Sequence, residues 1–287
     1  MALAGNEFRD LPVRRISPPL REVFISPSPL RGGVGEGCSI PNNPPNLIYG
    51  RNPVLEAFRA GRTVRRLVLA RGLRDEPRLR TLRELARTTK VPVEEVEREQ
   101  LDDIAHTEAH QGVVAYVTKR QYWELDQLMD AALAESPTPI LLMLDSVQDP
   151  QNLGTISRTA EATGVAGIIT SHNRSPEVTP SVVKASAGAA EHLRYARVAN
   201  LAQAADTLKE KGFWLVGLAG DATTDYTAFD YRRPLVLIVG SEGEGIHQLL
   251  RKKSDALVRI PMSGQIASLN AAVAGSILLY EVLRQRR

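Results

Sequence analysis

The chain has little of what several classes of protein require. Its 287 residues include one cysteine, Cys38, which excludes an internal disulfide framework and fits a reducing compartment. No apolar run approaches the ~18 residues of a membrane span, and the first residues lack the apolar centre of a secretory signal. We therefore expect a cytoplasmic protein that does not bind a membrane.

Histidine and aromatic residues are also sparse. The five histidines are scattered without metal-ligand spacing, so neither a structural nor a catalytic metal site is expected. Aromatic residues make up 5% of the chain, too few for a wide platform on which bases could stack. The net charge is only +3, but the positive residues are clustered.

Composition divides the chain into four parts. Residues 1–45 hold eight of the 18 prolines, which predicts a disordered extension. Residues 46–123 alternate short strands and helices and predict a small α/β domain. Residues 124–138 contain four acids and no base, which predicts a short helix and a stiff linker. Residues 139–287 form the last domain.

The last domain has an unbroken apolar run at 139–144, as is typical of a strand buried on both faces of a parallel sheet. Strands and helices then alternate, which predicts an α/β fold with a parallel sheet and helices on both faces. The predicted strands are 139–144, 166–170, 194–198, 213–219, 234–239 and 255–260. The predicted helices are 152–163, 179–189, 200–211, 246–252 and 269–285.

The small domain contains an arginine-rich stretch. Its predicted helices are 52–59, with Pro53 in the first position, 78–88 and 98–104, and its predicted strands are 64–70, 91–93 and 112–117. Nine arginines and no lysine lie between Arg62 and Arg87. A solvated helix face is the ordinary explanation, but the guanidinium fork matches phosphate oxygens, and this density favours contact with RNA.

Three stretches of the last domain combine polar residues with a strand end and a helix start. In the first, Asp149-Pro-Gln-Asn152 follows the strand at 139–144, and a helix is predicted to end before Gly164. Open α/β sheets place ligands at such positions. Asn152 is expected in the loop or cap, with Arg158 two turns further on.

The second stretch, at 240–245, has three glycines in six residues, which let a ligand approach the backbone closely. Glu242 and Glu244 repel phosphate, so a ligand with a ribose and a neutral or cationic group fits better than a triphosphate. The alternative is a simple turn with Glu244 in the first turn of a helix. The dinucleotide fingerprint and the phosphate-binding lysine loop are absent from this domain, which disfavours a nicotinamide or nucleotide enzyme.

In the third stretch, a polar loop leads from a strand to a helix rich in small residues. Ser268 is the predicted N-cap, with Asn270 in the first turn. The alternative is a cap and a close-packed helix with no further role.

The three stretches, at 149–158, 240–245 and 268–270, resemble the ordered motifs of the SpoU (TrmH) branch of the SPOUT RNA 2′-O-ribose methyltransferases. The first domain, with motifs at 49–57 and 110–115, resembles the L30e-like substrate-binding domain of that branch. The resemblance covers about 46–287. It implies a C-terminal sheet with a trefoil knot, S-adenosylmethionine as cofactor, and a homodimer whose active site can include residues of the second subunit.

The resemblance also assigns roles to residues. Arg158 would deprotonate the ribose 2′-hydroxyl or hold an RNA phosphate, and Asn152 would orient Arg158 or the ribose. Glu242 would hold Arg158 or neighbouring groups. The remaining residues would shape the methyl-transfer pocket (Ser268 and Asn270) or form the cofactor walls (Gly240, Ile260 and Leu269, with Leu218 and Ala219 as additions).

The implied target is a guanosine of 23S ribosomal RNA. Two alternatives stay open. One is a ribose of transfer RNA or another ribosomal RNA site, and the other is a non-catalytic RNA-binding factor in ribosome assembly.

Overall fold

The computed structural model describes residues 46–173, 175–265 and 268–287. The predicted disordered extension at 1–45, including Cys38, lies outside the described residues. Among the described helices, none combines the length and the apolar character that crossing a membrane requires.

The N-terminal domain is a four-stranded sheet covered by helices. Strand order is β1-β4-β2-β3, in which β2 and β3 are parallel and the other pairs are antiparallel. The elements are β1 (Leu47–Tyr49), α1 (Arg51–Arg59), β2 (Val64–Ala70), α2 (Pro77–Thr88), β3 (Val93–Val96), α3 (Arg98–Ala105) and β4 (Val113–Val117).

Two predictions for this domain were wrong in detail. Helix α1 begins at Arg51, so Pro53 is its third residue and not its first. The strand predicted at 91–93 lies at Val93–Val96. It is an edge strand that pairs only with β2, and its first three residues are exposed, so no apolar alternation marks it in the sequence.

The C-terminal domain is built on a seven-stranded parallel sheet with the order β7-β6-β5-β10-β8-β11-β9. Its strands are β5 (Ile140–Leu144), β6 (Gly167–Ser171), β7 (Tyr195–Val198), β8 (Trp214–Leu218), β9 (Thr224–Asp225), β10 (Leu235–Val239) and β11 (Ala256–Arg259). Its helices are α4 (Leu125–Glu135), α5 (Pro150–Ala162), α6 (Pro180–Ala185), α7 (Leu201–Glu210), α8 (Gln248–Lys253) and α9 (Ala271–Arg286).

The central strands are buried along their whole length, which confirms the predicted parallel α/β fold. Leu142 and Leu237 face one apolar cluster, with α5 and α9, while Leu141 and Val236 face the other, with α4 and α7. Helix α4 therefore packs as part of the second layer through Leu128, Met129 and Ala132.

Several helices of this domain differ from their predicted bounds, among them α5 and α6. Helix α5 begins at Pro150 because the Asp149 side chain accepts a hydrogen bond from the Gln151 amide (2.9 Å), so Asn152 lies inside the helix and not in the loop. Helix α6 ends at Ala185, four residues early, because Ala187 and Gly188 have φ values of 53° and 96°.

A buried ion cluster joins the two domains. The Glu191 side chain, 1% exposed, lies 2.7 Å from Arg62 and 2.8 Å from Arg120. Arg62 also donates to the Thr118 carbonyl oxygen (2.9 Å). Because a buried carboxylate is stable only when paired, these contacts favour one fixed arrangement of the domains.

A second contact between the domains depends on pH. His192 Nε2 lies 2.8 Å from Glu56 Oε2 of α1. This hydrogen bond raises the pKa of His192 above its usual 6.5 and lowers the pKa of Glu56 below its usual 4.5. The contribution of His192 to folding stability is complete below the pKa that histidine has in the unfolded chain. It is lost as pH rises through the raised pKa of His192 in the folded protein. The contribution of Glu56 to folding stability is present above the pKa that glutamate has in the unfolded chain. It is lost as pH falls through the lowered pKa of Glu56 in the folded protein.

We therefore expect His192→Gln to lower the melting temperature most at about pH 4.5–6.5, and much less at pH 9. Thermal unfolding of both proteins across this range measures the difference. An offset that does not change with pH would mean that the pair adds no pH-dependent stability.

Candidate active site

One polar side chain from each of the three motifs meets the others in a closed set of hydrogen bonds. Asn152 Nδ2 donates to Glu242 Oε1 (2.8 Å). Asn270 Nδ2 donates both to Asn152 Oδ1 (2.7 Å) and to Glu242 Oε1 (2.6 Å). The two amides therefore fix one oxygen of the carboxylate, while no hydrogen bond to Glu242 Oε2 occurs within the described residues.

The fold explains why these side chains meet. Asn152 lies in the first turn of α5, after β5, and Glu242 lies in the turn after β10. Strands β5 and β10 are parallel neighbours, so the segments that follow them leave the sheet at the same edge. Asn270 reaches this edge from the start of α9.

The predicted N-cap of α9 was wrong. Asn270, and not Ser268, caps the helix, because its Oδ1 accepts from the amides of Ala272 (3.0 Å) and Val273 (3.1 Å). Asn270 thus satisfies two free amides with its oxygen and binds Glu242 and Asn152 with its nitrogen. The residue that starts the helix also completes the hydrogen-bonded set.

A cavity of about 280 Å³ lies beside this set. Its walls include backbone from the turn at 240–246 and apolar side chains from the ends of β8 and β11. Glu242 borders it and is also part of the hydrogen-bonded set. The residues assigned to the cofactor by the resemblance all line this cavity, as does Ser268: Gly240, Ile260, Leu269, Leu218 and Ala219.

The turn at 240–245 is closed on itself. Ser241 and Gly245 exchange two backbone hydrogen bonds (3.1 and 3.2 Å). A methyl group added at Gly240 would overlap the backbone of Gly245 and Ile246, so this position requires glycine. Helix α8 begins only at Gln248, so the alternative that placed Glu244 in the first turn of a helix was wrong.

A buried acid holds the end of this turn. Asp145, directly after β5, accepts a hydrogen bond from the His247 amide (2.7 Å), and its Oδ2 lies 2.9 Å from His247 Nδ1. The Asp145 side chain is 4% exposed. This pair was not predictable from the sequence, because its partners are 102 residues apart and neither belongs to a spaced motif.

Arg158 lies elsewhere. It is exposed and lines a second cavity, of about 630 Å³, between the two domains. Arg158 follows Asn152 by six residues, which is roughly 9 Å along the helix axis and about 240° around it. Within one chain, Glu242 therefore holds Asn152 and Asn270 and not Arg158, and Asn152 does not orient Arg158.

No group of three or more histidine, cysteine, aspartate or glutamate side chains in the described part of the chain is placed to hold an ion.

Comparison with known proteins assigns both domains. Residues 47–123 match the family described as RNA 2′-O ribose methyltransferase substrate binding, and residues 139–280 match the SpoU rRNA Methylase family. A Bacillus subtilis protein named as a TrmH family tRNA/rRNA methyltransferase is 41% identical over 241 residues, which are 84% of this chain and 96% of that one. A Synechocystis protein named as an uncharacterized tRNA/rRNA methyltransferase is 43% identical over 84% of this chain, and the match spans 63% of that protein's length.

Solved structures agree with these sequence matches. The SpoU methyltransferase AviRb from Streptomyces viridochromogenes, in complex with the cofactor AdoMet, has a TM-score of 0.69 and 30% identity, covering 84% of this chain and 89% of that one. The expected RNA methyltransferase activity and the expected cofactor are thereby confirmed. The chain belongs to the SpoU/TrmH family of RNA methyltransferases and uses S-adenosylmethionine.

Proposed function

We propose that this protein methylates a ribose 2′-hydroxyl in RNA, and that the target is a guanosine of 23S ribosomal RNA. The observation that carries the proposal is the hydrogen-bonded set of Asn152, Glu242 and Asn270 at the edge of the cavity lined by Gly240. The N-terminal match to an RNA 2′-O ribose substrate-binding family supports the ribose as the methylated group.

The cavity suits the cofactor in size and chemistry. Its volume of about 280 Å³ is close to the lower end of the ~300–1,000 Å³ of small-molecule pockets. Ile260 and Leu269 provide apolar surface for a purine ring, and the backbone at 240–246 provides hydrogen-bonding groups. Glu242 and Glu244 border the cavity and would favour a positively charged sulfonium ion. When bound, S-adenosylmethionine supplies an electrophilic methyl group.

The side chains at the cavity edge would then orient the ribose. Since the two asparagine amides hold Glu242 Oε1, the other oxygen can accept a hydrogen bond from the 2′-hydroxyl. Glu242 Oε2 would then be placed to accept the proton that the 2′-hydroxyl loses on methylation and to pass it to solvent. A guanidinium group is a hydrogen-bond donor with no acceptor, so we assign the exposed Arg158 to the phosphate beside this ribose and not to proton removal.

The separation of Arg158 from Gly240 within one chain leads us to propose a homodimer with composite sites. In such a dimer, Arg158 of one subunit would act at the cavity of the other. Helix α9 offers a surface for this contact, because Val273 and Tyr280 are 44% and 55% exposed and flank Ile277 at helical spacing.

We also propose that the segment after β11 completes a trefoil knot and that the N-terminal domain is L30e-like. Ile260, Met262, Ser268 and Leu269 of this segment line the cavity. Helix α9 then packs on α5, where Ser276 Oγ donates to Thr159 Oγ1 (2.8 Å). A cytoplasmic location and the linker role of 124–138 stay predictions, as does disorder at 1–45.

Mapping of ribose methylations in cells that lack the protein tests the proposed target. We expect one 2′-O-methylguanosine of 23S ribosomal RNA to disappear. Loss at a transfer RNA or a different ribosomal RNA site would change the target and keep the chemistry. If cells that lack the protein keep every ribose methylation of the wild type, the alternative of a non-catalytic assembly factor would be favoured.

A further inference from the structure

The arginine-rich stretch is largely neutralised within the fold. Of the nine arginines between Arg62 and Arg87, six form ion pairs with carboxylates. Among the described residues, no carboxylate lies within ion-pair distance of the other three, which are Arg65, Arg74 and Arg78. The stretch as a whole is therefore a weaker RNA surface than its composition indicates, and the unpaired arginines become the candidates.

Arg78 differs from the other two because it lines the interdomain cavity that also contains Arg158. Arg158, too, has no ion-pair partner in the described part of the chain. One guanidinium comes from the first turn of α2 in the N-terminal domain, and the other comes from α5 in the catalytic domain. Both side chains are exposed.

The acids of this cavity do not cancel the two arginines. Glu56 is already bound by Arg59 (2.8 Å) and His192 (2.8 Å). Glu161 is the second acid in the lining. Arg59 is 55% exposed and adds a third guanidinium, so the lining keeps an excess of positive charge.

We propose that this interdomain groove binds the sugar-phosphate backbone of the RNA substrate, with Arg78 and Arg158 contacting separate phosphates. The inference rests on the proposed function and adds to it a substrate-positioning residue, Arg78. Two unpaired guanidinium groups on different domains match successive phosphates of one strand better than a single small anion. The Asn52 side-chain amide lines the same groove and can donate to phosphate or sugar oxygens.

Contacts across the domain boundary hold the two sides of the groove together, which would set where the RNA lies. The buried Glu191 cluster holds Arg62 and Arg120 across the domain boundary. Helices α1 and α2, which belong to the N-terminal domain, are thereby held against the catalytic domain. An RNA strand bound to Arg78 would therefore reach Arg158 in one register.

Charge reversal at Arg78 tests the proposal, with Arg74→Glu as the matched control. Arg74 is exposed and four residues away, has no ion-pair partner in the described ranges, and does not line the groove. Arg78 makes no side-chain hydrogen bond to any residue that the structure describes and lies in the first turn of α2, where an acid is favoured, so Arg78→Glu should fold normally. Binding of 23S and 16S ribosomal RNA transcripts and of a transfer RNA pool is measured at several salt concentrations.

We expect Arg78→Glu to weaken binding of the substrate RNA about tenfold or more and to reduce the slope of log K against log[salt] by about 1. Arg74→Glu should change the affinity less than about threefold. The proposal for the groove would be contradicted by any of three results. These are equal effects of the two variants on RNA binding, no effect of Arg78→Glu, or RNA binding by the wild type that does not depend on salt.

Methyl transfer by the wild type separates the two proposals. If Arg78→Glu weakens RNA binding as expected but the wild type transfers no labelled methyl group, the proposed function is wrong and the proposal for the groove is supported. If the wild type transfers methyl groups and Arg78→Glu binds RNA as tightly as the wild type, only the proposal for the groove is wrong.

Discussion

Replacing Arg158 by alanine should abolish methyl transfer, by at least about 10²–10³ in rate, while S-adenosylmethionine still binds. The physical reason is that Arg158 supplies positive charge near the reacting ribose but does not line the cofactor cavity. The side chain is exposed and unpaired among the described residues, so its loss should not lower stability. Transfer of a labelled methyl group and calorimetric binding of S-adenosylhomocysteine measure the two effects.

Arg158→Lys is the matched variant for this prediction. Lysine keeps the charge and loses the planar fork, so partial activity is expected if Arg158 holds a phosphate. Activity of Arg158→Ala within tenfold of the wild type would remove this residue from the mechanism.

The second large effect concerns the glycine turn. Gly240→Ala should weaken S-adenosylmethionine binding by about 100-fold or more, roughly 3 kcal/mol, because the new methyl group would overlap the backbone of Gly245 and Ile246 and force the turn open. Gly243→Ala is the control within the same turn. A Cβ at Gly243 meets no atom within 4 Å, and its backbone is not left-handed.

Calorimetry with S-adenosylmethionine compares the two variants. We expect Gly243→Ala to bind within about threefold of the wild type, as for a surface substitution. Similar losses in both variants would show that the turn does not shape the cavity in the way described, whereas unchanged binding by Gly240→Ala would place the cofactor elsewhere.

Much of the fold was predictable because a strand that is buried on both faces has an uninterrupted apolar sequence. The apolar run predicted as a strand at 139–144 forms β5 at Ile140–Leu144. Helix starts were harder, because several good capping residues stand close together. Asp149 rather than Asn152 begins α5, and Asn270 rather than Ser268 begins α9, since the tertiary position of each side chain decides which amides it can reach.

The site was predictable as a set of motifs and much less as a set of contacts. The motifs indicated that Asn152, Glu242 and Asn270 act together, but not that Glu242 binds both asparagines. The Asp145–His247 pair depends on partners distant in sequence, and so do the ion pairs of Arg62, Arg66 and Arg71. The motifs also gave no indication that Arg158 borders the interdomain cavity, away from the hydrogen-bonded set that contains Asn152.

The central claim is that Arg158 of one subunit completes the cavity of another, since the two features lie apart in a single chain. Heterodimers of Arg158→Ala and Gly240→Ala chains, isolated through two different tags, test it by transfer of a labelled methyl group to ribosomal RNA. The claim predicts about half of the wild-type activity, because one of the two composite sites keeps both an intact cavity and an intact Arg158. Folded heterodimers as inactive as either parent homodimer would contradict it.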